Sequence, residues 1–171
     1  MPTENQPKDG LQLLAQDHRE VEALFAQFEK ASGTSAKERL VRQICTELKI
    51  HNMIEEEIYY PEIRGKVEED ALDEAYVEHD SAKLLINELE AAEPDESFYD
   101  AKVKVLKELI EHHVEEEEKK RENLFQQTRA SEVDREALGE RLAARKAELK
   151  AKAEREGLPP AEPATLQHEG M

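Results

Sequence analysis

The chain has 171 residues, enough for one domain with a core of its own, and carries a net charge of −17 from 41 acidic against 24 basic residues. That acidity opposes binding to nucleic acid and anionic membrane surfaces, and so few glycines and prolines (six and seven) argue against an all-β sandwich or barrel. No apolar run approaches the roughly 18 residues that span a bilayer, the N-terminus lacks a basic-then-apolar leader, and the lone Cys45 fits a reducing compartment, so a cytoplasmic protein is expected.

Residues 1–9 read as a flexible N-terminus. The first helix is predicted from about Gly10 to Ala31, on a seam of Leu11, Leu14, Val21, Phe25 and Phe28 in which His18 fills the gap. Ser32-Gly33-Thr34-Ser35 breaks and recaps the chain. The second helix runs from about Ala36 to Arg64 with seam residues Val41, Ile44, Leu48 and Ile58, and His51 and Glu55 at the intervening positions; Gly65 stops it. The third runs from about Glu68 to Ala92 on Leu72, Ala75, Ala82, Ile86 and Leu89, with His79 in the gap. Pro94 ends that unit, and Ser97 with Asp100 predicts the next N-cap. The fourth helix carries Val103, Leu106, Ile110 and later Leu124, interrupted by His113 and Glu117. Ser131 with Asp134 predicts the cap of a fifth helix ending near Glu156, whose thin stripe is Val133, Leu138, Leu142 and Leu149. That helix is expected on the outside of the bundle or in a homodimer contact. The tail 158–171 is expected to be disordered, with His168 inert. The class is therefore all-α: an antiparallel up-down-up-down four-helix bundle over 10–130, with an additional C-terminal helix at 131–157.

The informative feature is polar. Four histidines and two glutamates occupy seam positions that should be apolar. His51 with Glu55, and His113 with Glu117, are i,i+4 pairs that put imidazole and carboxylate on one helix face. Counting from the turns places His18, His51, Glu55, His79, His113 and Glu117 in one slab across an antiparallel bundle, at about 1.5 Å of rise per residue. Inward carboxylates need a compensating cation. Imidazole with carboxylate suits iron, zinc, copper or manganese better than magnesium or calcium, and six such groups match two metals better than one. His112 lies off the seam that runs through residues 106, 110, 113 and 117, so His113 is the preferred ligand. Cys45 reads as a buried, inert thiol and Tyr59, Tyr60 and Tyr76 as core packing, the alternative being that they line a pocket near the metal or donate a hydrogen bond to a bound oxygen species. The acidic residues Glu56, Glu57, Glu115, Glu116 and Glu118 read as solvated faces.

Asp17-His18, the stretch from His51 through Glu55 to Tyr60-Pro61, Glu78-His79, and Glu111-His112-His113 through Glu117 together resemble the bacterial hemerythrin-like HHE cation-binding family, over about residues 10–152. The resemblance implies a non-haem di-iron centre, two iron ions bridged by the two carboxylates, held by His18, His51, Glu55, His79, His113 and Glu117. It implies dioxygen, or another small diatomic or peroxide ligand, as the partner. This sequence departs from hemerythrins at Lys83, where they place a second histidine one turn after the third-helix histidine, so one iron would have one imidazole fewer. It departs again at Lys119-Lys120-Arg121-Glu122-Asn123, where relatives often carry an apolar, aromatic and proline ending. The expected function is binding or sensing of dioxygen or a related oxidant. The alternatives are a peroxide- or nitric-oxide-reactive enzyme and an iron storage or delivery protein. Ferritin-like di-iron proteins are disfavoured because they use Glu-x-x-His pairs.

Overall fold

The computed structural model describes residues 6–165, and among these there are helices and no strand. Helix α1 (Gly10–Lys30) starts where the Asp9 carboxylate accepts the Gln12 N–H at 3.0 Å. It pairs with α2 (Thr34–Ile54), which continues through a π-helical turn (Glu55–Tyr59) into the short α3 (Tyr60–Ile63). Helix α4 (Glu69–Ala91) packs on α2 and on α5 (Tyr99–Val114). A second π-helical turn (Glu115–Lys119) extends α5 and leads to α6 (Leu124–Ala130). Helix α7 (Arg135–Glu156) lies across α1 and α2.

The four-helix bundle with an additional C-terminal helix is as expected, but several joints differ. Pro61 has no N–H and its ring crowds the carbonyl four residues back. The chain widens just before it, so that Tyr60 N–H bonds Glu55 O, five residues away. The extra residue shifts the helical phase, so Ile58 is only half-buried, while Tyr59 and Tyr60 are fully buried. Lys120 N–H likewise bonds Glu115 O, at 2.8 Å, after which the fourth helix stops; Leu124 belongs to α6. Ser97 does not cap α5, whose N-cap is Phe98 in left-handed backbone. For the last helix the cap falls on Asp134, which accepts from Ala137 N–H.

Two apolar clusters fill the bundle. One gathers Phe25, Phe28, Ile44, Leu48, Ile86, Val103 and Leu106; the other gathers Leu11, Leu14, Ile54, Tyr60, Leu72, Leu124 and Phe125 together with Leu138, Leu142 and Leu149 of α7. Helix α7 therefore completes the second cluster. Its N-terminal end meets α1 backbone to backbone: a Cβ on Gly139 would lie 2.8 Å from Gly10 N, so only glycine permits this approach. The expected disorder of 158–171 is corrected for residues 158–165, which run back over α2 and α4 on hydrogen bonds from Lys49, Lys83 and Asn87 and to Asp80. Residues 1–5 and 166–171, including His168, lie outside the described residues. No helix among those described is long and apolar enough to cross a membrane.

Candidate metal centre

Between the two apolar clusters lie His18, His51, Glu55, His79, His113 and Glu117, all buried, with both glutamates wholly so. Position 18 lies between Leu14 and Val21 on α1, 51 between Leu48 and Ile54 on α2, 79 between Ala75 and Ala82 on α4, and 113 next to Ile110 on α5. Apolar neighbours on both sides hold each imidazole inward. All six residues singled out from the sequence are brought together. His112 is not: it is exposed and pairs with Glu78 at 3.0 Å.

Each imidazole points Nε2 toward the glutamates. His51 Nε2 lies 2.7 Å from Glu55 Oε1, and His79 Nε2 lies 3.2 Å from the same oxygen. His113 Nε2 is 3.1 Å from Glu117 Oε2, and His18 Nε2 is 3.5 Å from Glu117 Oε1. Yet His18 Nε2, His51 Nε2, both Glu55 oxygens and Glu117 Oε1 have no aligned hydrogen-bond partner. Buried polar atoms are normally satisfied. Here they face common points instead of one another. The potential ligand atoms of His18, His51, Glu55 and Glu117 lie within 4.8 Å of each other, as do those of Glu55, His79 and His113. Glu55 belongs to both groups. Nitrogen and oxygen donors in such groups can hold a transition-metal ion.

The outward face of each imidazole is also fixed. Nδ1 of His51 meets Asp17 at 3.0 Å, that of His79 meets Glu56 at 2.8 Å, that of His113 meets Glu78 at 3.0 Å, and that of His18 meets Glu118 at 2.9 Å. Every carboxylate comes from a neighbouring helical segment, so the pairs close a ring through α1, α2, α4 and α5. Each carboxylate also meets a base: Asp17 with Lys146 of α7, Glu56 with Lys83, Glu78 with His112, and Glu118 with Arg19. A carboxylate on Nδ1 sets the tautomer that turns the Nε2 lone pair inward.

The expectation of solvated faces is therefore corrected for Glu56 and Glu118, which orient histidines. The sequence signal was adjacency: Asp17, Glu56, Glu78 and Glu118 each stand next to an inward residue but serve the histidine of another helix. Tyr60 departs from plain core packing too. Its hydroxyl donates to Glu117 Oε2 at 2.7 Å and lies 3.2 Å from Nε2 of both His79 and His113. Lys83 is buried but turned away, its ammonium on Glu56 and Asp80. Cys45 is buried as expected, and burial pushes its thiol up to about 12.

Without a cation the site must balance its charge with protons. Burial opposes a charged His51, but Glu55 and Asp17 outweigh it and raise its pKa to about 10. His113 is held well above its ordinary value against the same burial, chiefly by the charge of Glu117. Burial would raise the Glu55 carboxyl, but the charge of His51 and the imidazoles of His113, His51 and His79 beside it hold it well below the usual range. Glu117 is lowered by His113 and His18 despite burial and the charge of Glu55. Burial and the two carboxylates push the Tyr60 phenol well up. The opposed shifts follow from imidazoles and carboxylates packed against one another in one buried site.

Residues 9–125 match the model of the hemerythrin HHE cation-binding domain. A hemerythrin HHE cation-binding domain-containing protein from Mycobacterium kansasii has the same fold, with a TM-score of 0.72 at 22% identity over 88% of this chain and 94% of that one. A protein of Nostoc sp. named DNA nickase is 27% identical over 106 residues, which are 62% of this chain; the match spans 30% of that protein's length.

Proposed function

The chain belongs to the hemerythrin HHE cation-binding domain family, and from that membership we propose that it is a non-haem di-iron protein that binds or senses dioxygen or a related small oxidant. The observation that supports this most is the set of buried, unpartnered donor atoms on His18, His51, Glu55 and Glu117, gathered about a common point with no aligned hydrogen bonds between them. One ion would be held by His18 and His51, the other by His79 and His113, with Glu55 and Glu117 between them. Tyr60, whose oxygen faces His79 and His113, offers the further donor that Lys83 does not supply. Reduced iron in such a site supplies electrons to dioxygen or peroxide. Asp17, Glu56, Glu78 and Glu118 keep the imidazoles in place, and the flanking apolar clusters exclude bulk water.

Full burial of both carboxylates favours a small ligand over iron storage, which requires metal to leave as readily as it enters. The Nostoc nickase does not bring DNA cleavage with it: this chain spans less than a third of that protein, and its net charge of −17 opposes contact with phosphates. Metal analysis with a visible spectrum is the test. Two irons per chain, absorbing after aerobic oxidation and shifting on addition of azide, are expected. One zinc and a featureless spectrum would overturn the reading.

A further inference from the structure

Helix α7 covers α1 and α2, whereas the side between α2 and α4 is crossed by residues 158–165. Gly157, at φ 78°, turns the chain back after α7. The segment is held almost wholly by side chains of the bundle. Lys49 donates to Leu158 O at 3.2 Å, and Asn87 exchanges two bonds of 2.8 Å with the Ala161 backbone. Lys83 donates to Glu162 O at 2.9 Å, and Asp80 accepts from Ala164 N–H and Thr165 N–H. Leu158 is partly buried against the second apolar cluster. Beneath it lies a cavity of about 290 Å³, walled by Asn52, Met53 and Glu56 of the α2 side, by Lys83 and by residues 159–162. Glu56 is at once a wall of this cavity and the partner of His79 Nδ1.

We infer that residues 158–165 are a lid over an entry chamber for small ligands on their way to the metal centre, and that Lys83 is its latch. The chamber is at the small end for a ligand site. It admits a molecule of a few atoms. A segment held by hydrogen bonds at half-exposed positions opens locally far more often than a packed helix. Lys83 bonds Glu56 and the lid carbonyl together, so closing the lid fixes the group that orients His79. Lysine at this position serves the lid, where a histidine would have faced the centre.

Where the chamber leads rests on the di-iron reading; the lid itself does not. Asn87→Ala removes two lid bonds at a distance from the proposed ligands. In the metal-free protein, a thiol placed by Met53→Cys should react about 5- to 30-fold faster with a small methanethiosulfonate when Asn87→Ala is added, as two lost hydrogen bonds imply. Exchange of the Ala161, Ala164 and Thr165 amides, measured without the cysteine, should quicken in parallel. In the iron-loaded protein, azide should bind faster by a similar factor at unchanged iron content. Unchanged labelling and exchange would overturn the lid. Faster labelling with an unchanged azide rate would overturn the route. Absence of iron would instead count against the di-iron reading, while the labelling still decides the lid.

Discussion

Four imidazoles around two buried carboxylates make protons and metal ions rivals for one place. The pKa of His51 is raised from 6.5 to about 10. A raised histidine stabilises the fold below its unfolded pKa, and that contribution is lost as pH climbs through the folded value. The metal-free protein should therefore melt progressively earlier between pH 6.5 and 10. The lowered Glu55 and Glu117 act with the opposite sign: their contribution is present at neutral pH and lost only on acidification. A bound cation displaces the imidazole protons, so metal affinity should rise with pH over the same window and loaded protein should melt independently of it. Melting curves across pH with and without iron check this; equal stability of the metal-free protein at pH 6.5 and 9.5 would contradict it. The two adjacent histidines separate on geometry. His113→Ala removes a buried nitrogen 3.1 Å from Glu117 and should cost bound metal, whereas His112→Ala removes an exposed ring and should keep most of it. Metal content of the two variants decides, and the reverse order would place the ligand on the wrong residue.

The helices, their order and the inward slab were legible because apolar residues recur at steps of three and four and the six polar exceptions fall on the same seam. Phase was lost where the helix widened. Pro61 was visible in the sequence, but only the π-turn shows that Tyr60, not Ile58, follows Glu55 on the inner face. The outer carboxylates were hidden for another reason: Glu56 and Glu118 sit in acidic runs, and their partners lie on other helices, which local patterning does not reach. The reach of α7 was hidden in the same way. Its thin stripe suggested a helix on the outside of the bundle or in a homodimer contact, and nothing in it pointed to Lys146 extending to Asp17, the residue that holds His51. Lys146→Ala leaves a buried carboxylate short of a partner and should destabilise by about 1–3 kcal/mol, whereas Arg155→Ala at the exposed end of the same helix should change stability by less than about 0.5 kcal/mol. Denaturant titration of both variants measures the difference, and equal effects would mean that α7 contributes through its leucines alone.

At the scale of the whole molecule, the polar slab divides the interior into two apolar clusters that share α1, α2 and α4, with α5 in the first and α6 and α7 in the second. Neither cluster can loosen without moving residues that frame the slab: Leu48 and Ile54 flank His51, and Ala75 and Ala82 flank His79. Occupancy of the centre should therefore be felt as global stability, not as local order. Removing a cation leaves Glu55 and Glu117 fully buried with their like charges close together, to be balanced only by protonated imidazoles. A ligand bound at about a thousand times its dissociation constant adds about 4 kcal/mol to the folded state. In a domain of this size each kcal/mol moves the melting temperature by about 2–4 °C. Chelation should thus lower Tm by roughly 8–16 °C, and re-addition of ferrous iron under anaerobic conditions should restore it. The same experiment on Glu55→Gln with Glu117→Gln separates the two contributions. Neutral amides remove the imidazolium–carboxylate pairs that stabilise the metal-free fold at neutral pH, so the metal-free double variant should melt below the metal-free parent, while its response to iron is lost. A double variant that still gains stability from iron would show that the cation sits elsewhere.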